Sequence, residues 1–154
     1  MRVRVSLLLM TLPVTSPSSA SQTFRKDTLL LCVDDDLATL TFIKITLERQ
    51  GFSVIAATHW RDAMDAFRNN PIDLVILDYE MPELRGDELA VLIRRDNSKV
   101  PLILHSGAPH IPEAAMKATD AFIEKGIDIH ALVAAVDKLI MVSRGNRTGR
   151  HGGK

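Results

Sequence analysis

Residues 29–36 read Leu-Leu-Leu-Cys-Val-Asp-Asp-Asp, and residues 72–78 read Ile-Asp-Leu-Val-Ile-Leu-Asp. Each is a short apolar run that stops abruptly at carboxylates. Runs of this kind read as buried strands of a parallel sheet whose C-terminal ends carry chemistry. In an open α/β sheet, ligands sit outside those strand ends. Asp34, Asp35 and Asp78 would therefore converge at one rim and repel each other unless a hard cation sat among them. Oxygen-only ligands of this type suit Mg²⁺.

Working outward, residues 27–142 read as five strand–helix units. The strands are expected over 28–33, 52–57, 72–77, 100–105 and 121–124. A helix over 36–49 puts Leu37, Leu40, Ile43 and Leu47 on one face, with Gly51 just past its end. Thr58 is placed to cap a second helix reaching Arg68, with Ala63, Ala66 and Phe67 inward. Asn69-Asn70-Pro71 breaks it. Met81-Pro82 opens a loop that Gly86 is expected to turn sharply, before a third helix marked by Leu89, Leu92 and Ile93. A short Ala-rich helix ends near Ala118, and Ile129, Leu132, Val133, Val136 and Ile140 mark the last one. Strict alternation of strand and helix implies a doubly wound parallel sheet with five helices distributed over both faces.

The 154 residues suit one domain with one core. The formal net charge of zero hides an asymmetry. Residues 1–26 contain Arg2, Arg4, Arg25 and Lys26 and no acid, and residues 144–154 contain Arg144, Arg147, Arg150 and Lys154 and no acid. Between them, 11 Lys and Arg face 19 Asp and Glu. An acidic body has the wrong sign for nucleic acid, which calls for a basic face. Residues 1–26 read as a disordered leader and linker and 143–154 as a disordered basic tail. The leader has the charge and apolar core of a signal peptide, but its apolar stretch is too short to span a bilayer. The single cysteine, Cys32, lies inside a strand and reads as core, which fits a reducing cytoplasm.

The residues that close or follow the strands are Asp34, Asp35, Asp78, Ser106 and Lys125. Their setting is Val33-Asp34-Asp35-Asp36, Leu77-Asp78-Tyr79-Glu80-Met81-Pro82 with Gly86, Leu104-His105-Ser106-Gly107, and Phe122-Ile123-Glu124-Lys125. Four motifs in this order and spacing resemble the CheY-like receiver domain of two-component response regulators, over roughly residues 28–141. The resemblance implies a flavodoxin-like sheet of order 2-1-3-4-5 and a stand-alone receiver, with only about a dozen residues after the last helix. It implies that Asp78 accepts a phosphoryl group, forming an acyl phosphate. It makes Asp35, Asp78 and the Glu80 carbonyl Mg²⁺ ligands, with Asp34 acting through a metal-bound water. Lys125 would pair with Asp78 and then with the phosphoryl oxygens, Ser106 would donate to one of them, and Phe122 stands where the family often has an aromatic switch. Asp36 would only cap the helix.

The implied donor is a sensor histidine kinase or a histidine phosphotransfer protein, and the implied output is binding of a downstream protein, phosphate relay, or feedback on the kinase. The chain departs from the family pattern at Gly126, where proline usually follows the lysine. Glu80 and Ala108 occupy the two positions that modulate hydrolysis. Two other readings fit these residues. A phosphatase-like hydrolase with an aspartyl nucleophile would use Glu80 as acid/base, and a degenerate receiver would serve as a docking module.

Overall fold

Five strands, β1 (Leu29–Val33), β2 (Ser53–Ala57), β3 (Leu74–Leu77), β4 (Leu102–Ser106) and β5 (Ala121–Glu124), lie in the order β2-β1-β3-β4-β5. Every neighbouring pair is parallel. The structure, a computed structural model, describes residues 24–148. Helices α1 (Leu37–Arg49), α2 (Trp60–Asn69), α3 (Gly86–Asp96), α4 (Glu113–Lys117) and α5 (Ile129–Thr148) follow the strands in turn. A sixth helical segment, described over residues 24–26, precedes β1.

Alternation along the strands divides the core in two. Leu31, Val33, Val75, Leu77, Leu102 and Leu104 face α2, α3 and α4, meeting Ala63, Phe67, Leu89, Ile93 and Ala115. Leu30, Cys32, Leu74, Ile76 and Ile103 face α1 and α5, meeting Leu40, Ile43, Leu47, Leu132, Val136 and Ile140. Each Leu, Ile, Val or Phe among them contributes about 1.5–3 kcal/mol by leaving water. The central strands β1, β3 and β4 are apolar on both faces because both faces are covered. Cys32 is part of this core, and burial pushes its thiol up to about 12, so it stays protonated.

Several details differ from the sequence reading. Leu37 is 65% exposed. It opens α1 beyond the end of β1, where no strand residue remains to cover it. His59, not Thr58, caps α2, its Nδ1 accepting the Arg61 N–H at 3.2 Å. Gly86 does not provide a sharp turn. A Cβ there would lie 2.0 Å from the Asp78 carbonyl oxygen, so glycine is needed for close approach of α3 to β3.

Both ends of the fold extend further than composition suggests. Phe24, Arg25 and Lys26 are helical, and Arg25 is buried against Asp137 of α5. The last helix continues past residue 142 to Thr148, and Arg144 donates to the Asp27 carbonyl and to Thr28 Oγ1. These two segments hold each other, a long-range pairing that a local reading of Ser, Pro and Gly content cannot detect. The signal-like leader at residues 1–23 lies outside the described residues, as does the segment 149–154. Among the described residues, no helix is long and apolar enough to cross a membrane.

Candidate functional site

The register pairs Val33 with Leu77, so Asp34 and Asp78 leave the sheet side by side at its C-terminal rim. The Asp78 N–H donates to the Val33 carbonyl at 2.8 Å, and the Asp34 N–H to the Ala57 carbonyl at 3.2 Å. Both side chains are buried, whereas Asp35 is exposed. Carboxylate oxygens of Asp34, Asp35 and Asp78 all lie within 4.8 Å of one another. At that distance two like charges repel by about 3 kcal/mol at an effective dielectric of about 20. Asp36 does not join them. It caps α1, accepting from the Ala38 N–H at 3.1 Å and from Thr39 Oγ1 at 2.6 Å.

Lys125 follows β5 and reaches back across the rim. Its N–H donates to the Ser106 carbonyl at 2.9 Å, extending the β4–β5 ladder by one residue. Its Nζ lies 2.6 Å from Asp34 Oδ2 and 3.1 Å from Asp78 Oδ1. Burial works against the Lys125 charge, but Asp34 and Asp78 outweigh it and hold the ammonium above the ordinary lysine range. Burial also pushes Asp78 up to about 6. Lys125 pulls it back, and Asp34 and Asp35 raise it further. Three carboxylates against one ammonium leave two negative charges unmatched, which fits the charge and the ligand preference of a divalent cation such as Mg²⁺.

Ser106 ends β4 fully buried, its Oγ accepting the Ala108 N–H at 3.2 Å. Phe122 pairs in register with Leu104 and is half-buried against the α2–α4 side of the core. Glu80 is exposed in the loop after β3. Gly126 adopts φ +85°, a left-handed conformation that glycine takes without strain.

Two residues near the rim escaped the sequence reading. His105, next to Ser106, is buried with no partner for its Nδ1. Burial, reinforced by Lys125, pushes it down to about 4, so the ring is neutral near pH 7. Its only sequence signal was a titratable residue in an otherwise apolar strand. Glu83, in the β3–α3 loop, has φ +66°, which is uncommon outside glycine. Nothing in the sequence around it announced that.

The family described as the response regulator receiver domain matches residues 30–137. The transcriptional regulatory protein GlrR of Escherichia coli is 31% identical over 111 residues, 70% of this chain and 25% of that protein. The CAI-1 autoinducer sensor kinase/phosphatase CqsS of Vibrio cholerae is 32% identical over 121 residues, 75% of this chain and 18% of that protein. The chain thus spans a quarter or less of either relative. The response regulator protein TrrA of Thermotoga maritima, solved in complex with Mg²⁺ and BeF, is 30% identical with a TM-score of 0.69. That likeness covers 73% of this chain and 98% of the other.

Proposed function

Because this chain belongs to the response regulator receiver family, we propose that Asp78 is its phosphoacceptor and that phosphorylation switches a protein-binding face. The observation that carries this reading is Lys125 Nζ lying between Asp34 and Asp78 inside a cluster of three carboxylates. Asp34 and Asp78 are both buried and both touch the ammonium, but Asp78 follows β3, the strand paired with Ser106's β4.

In the transfer, an oxygen lone pair of Asp78 forms a P–O bond while the donor's P–N bond to a histidine breaks. The bonding pair leaves with the imidazole, which takes up a proton. Asp35, Asp78 and the Glu80 carbonyl would hold Mg²⁺, with Asp34 acting through a water. When bound, Mg²⁺ neutralises charge on the phosphoryl oxygens. Asp78 must be ionised to attack, and Lys125 favours that form. After transfer Lys125 turns from the lost carboxylate charge to a phosphoryl oxygen. Ser106 Oγ, which now only accepts from Ala108, gains an acceptor for its own hydrogen. Its inward movement frees space beside β4 for Phe122, and the α4–β5–α5 face changes shape.

The donor is a sensor histidine kinase or a histidine phosphotransfer protein, which places this domain in the cytoplasm, and the recipient of the switch is a downstream protein. The chemistry is self-modification at Asp78, not turnover of an external substrate. Incubation with Mg²⁺ and phosphoramidate should add one base-labile phosphoryl group, and chelation of the metal should prevent it. Labelling that survives in Asp78→Asn would place the acceptor elsewhere and overturn the reading.

A further inference from the structure

Glu83 sits five residues after Asp78 in the loop that carries Glu80, with its backbone left-handed at φ +66°. For a non-glycine residue that conformation costs on the order of 1 kcal/mol or more and persists only where its surroundings enforce it. The backbone turns tightly there, the Leu84 N–H donating to the Pro82 carbonyl at 2.8 Å, and the Glu83 side chain meets three residues at the start of α2. Glu83 Oε2 accepts from the Trp60 indole N–H at 3.3 Å. It also lies 3.3 Å from His59 Nε2 and 3.4 Å from Arg61 Nη1. His59 Nδ1 is occupied in capping α2, which leaves Nε2 as the nitrogen that carries hydrogen toward Glu83. The Arg61 guanidinium stacks on Trp60, 4.8 Å from the ring centroid. Trp60 and Leu84, next to Glu83, both pack against the core on the α2–α4 side.

One carboxylate thus gathers three consecutive side chains at the start of α2 and fastens the β3–α3 loop to them. Those donors hold the Glu83 carboxyl below the usual carboxylate range, the Trp60 hydrogen bond most of all. Among the described residues, no hydrogen bond or ion pair joins these four to the cluster of Asp34, Asp35 and Asp78. Their effect on it must pass through the loop backbone, which runs from Asp78 to Gly86 and is closed by the Gly86 N–H donating to Tyr79 at 3.0 Å.

We propose that Glu83 is a positioning residue for the metal site: its contacts with His59, Trp60 and Arg61 pre-set the loop so that Asp78 and the Glu80 carbonyl are arranged for Mg²⁺ before the ion arrives. This rests on the proposed function, since Glu80 has a role only if Mg²⁺ binds at the rim. The pre-set loop lowers the ordering that binding would otherwise require.

The test measures Mg²⁺ affinity by calorimetry and melting temperature on the same full-length variants. Glu83→Gly removes the carboxylate and relieves the left-handed strain together. It should weaken Mg²⁺ binding about three- to tenfold, in keeping with exposed charged contacts, while its melting temperature stays within a few degrees of wild type. Glu83→Gln keeps an acceptor for Trp60 and should recover part of the affinity. Trp60→Phe keeps the ring but loses its N–H. It should weaken Mg²⁺ binding in the same direction, and less than additively when combined with Glu83→Gly. If Glu83→Gly binds Mg²⁺ as wild type does, or if the two substitutions are fully additive, the clamp is overturned while the phosphoacceptor reading stands. A wild-type chain that binds no Mg²⁺ overturns both. Loss of phosphorylation in Asp78→Asn, with Mg²⁺ affinity still sensitive to Glu83, supports both.

Discussion

Both ends of the sheet bury charge, but one end matches it and the other leaves it unmatched. At the end where the strands begin, Arg25 is 7% exposed and every arm of its guanidinium is used. Nε and Nη2 donate to the two Asp137 oxygens at 3.1 and 2.6 Å, and Nη1 donates to the Gln50 carbonyl and Oε1 at 3.2 and 3.1 Å. The guanidinium also lies over the Phe52 ring. Thr28 donates to the Phe24 carbonyl and accepts from Arg144, and Asp73 accepts the Leu29 N–H. At the opposite rim, three carboxylates share one ammonium, and beside Ser106 a buried histidine nitrogen has no partner. The matched end can only hold the fold. The unmatched end is stabilised by whatever brings positive charge or removes negative charge, so it can respond to a ligand.

The most forceful way to break this contrast is to neutralise the rim. Asp78→Asn should abolish phosphorylation by phosphoramidate, measured by intact mass, because a neutral amide is a poor nucleophile. Yet in metal-free buffer at pH 7 the same variant should be more stable than wild type by about 1–3 kcal/mol in urea unfolding, since Asp78 is ionised there at the expense of the fold. Lower metal-free stability would mean that the carboxylates are compensated after all.

The matched end should behave in the opposite way. Arg25→Ala leaves Asp137 and the Gln50 carbonyl without their donor and should cost about 2–3 kcal/mol, less than a fully buried pair because Asp137 is partly exposed. Its phosphorylation rate should equal that of wild type at temperatures where it is folded. A slowed rate in a fully folded sample would show that the two ends are coupled.

Millimolar Mg²⁺ should then stabilise wild type and Arg25→Ala equally, by about 1–2 kcal/mol, because it binds only the folded chain. The gain should largely vanish in Asp78→Asn. An unmoved wild-type melting temperature would remove the metal from the argument.

The smallest effect is a cancellation. Asp78 keeps its proton up to about pH 6 in the fold and to 3.8 in its ordinary state, so its contribution to stability is lost as pH rises through that window. His105 does the reverse. Burial, reinforced by the Lys125 charge, drops it from 6.5 to about 4, so its contribution is lost as pH falls from 6.5 toward 4. Each slope is at most about 1.4 kcal/mol per pH unit. Without metal, wild-type stability should be nearly flat between pH 4.5 and 6. It should rise with pH in Asp78→Asn and fall with pH in His105→Phe. Parallel profiles for the two variants would break the assignment of opposed slopes to the rim.

The fold was legible because hydrophobic runs and their spacing are local signals. Leu30 through Val33 and Leu74 through Leu77 are apolar at every position, which only a doubly covered strand requires, and both are buried. The carboxylates after them were legible for the same reason, since a parallel sheet puts all strand ends at one rim. The boundaries at residues 27 and 142 were less so. Phe24 and Arg25 belong to the fold through Arg144 and Asp137, more than 100 residues away in sequence, and nothing in a local window records such a pairing. Leu37 was misjudged because helical periodicity gives the direction of a side chain but not whether anything stands opposite.

Sequence alone determined the strand–helix alternation, the two-sided core and the set of residues delivered to the rim, because each follows from which side chains leave water and at what period. Tertiary structure alone decided how charge is balanced there. Lys125 reaches Asp34 more closely than Asp78, His105 Nδ1 is buried without a partner, and the left-handed Glu83 meets three side chains at the start of α2. Electrostatic balance depends on distances of a few ångströms between residues far apart in the chain, and only the packed structure fixes those distances.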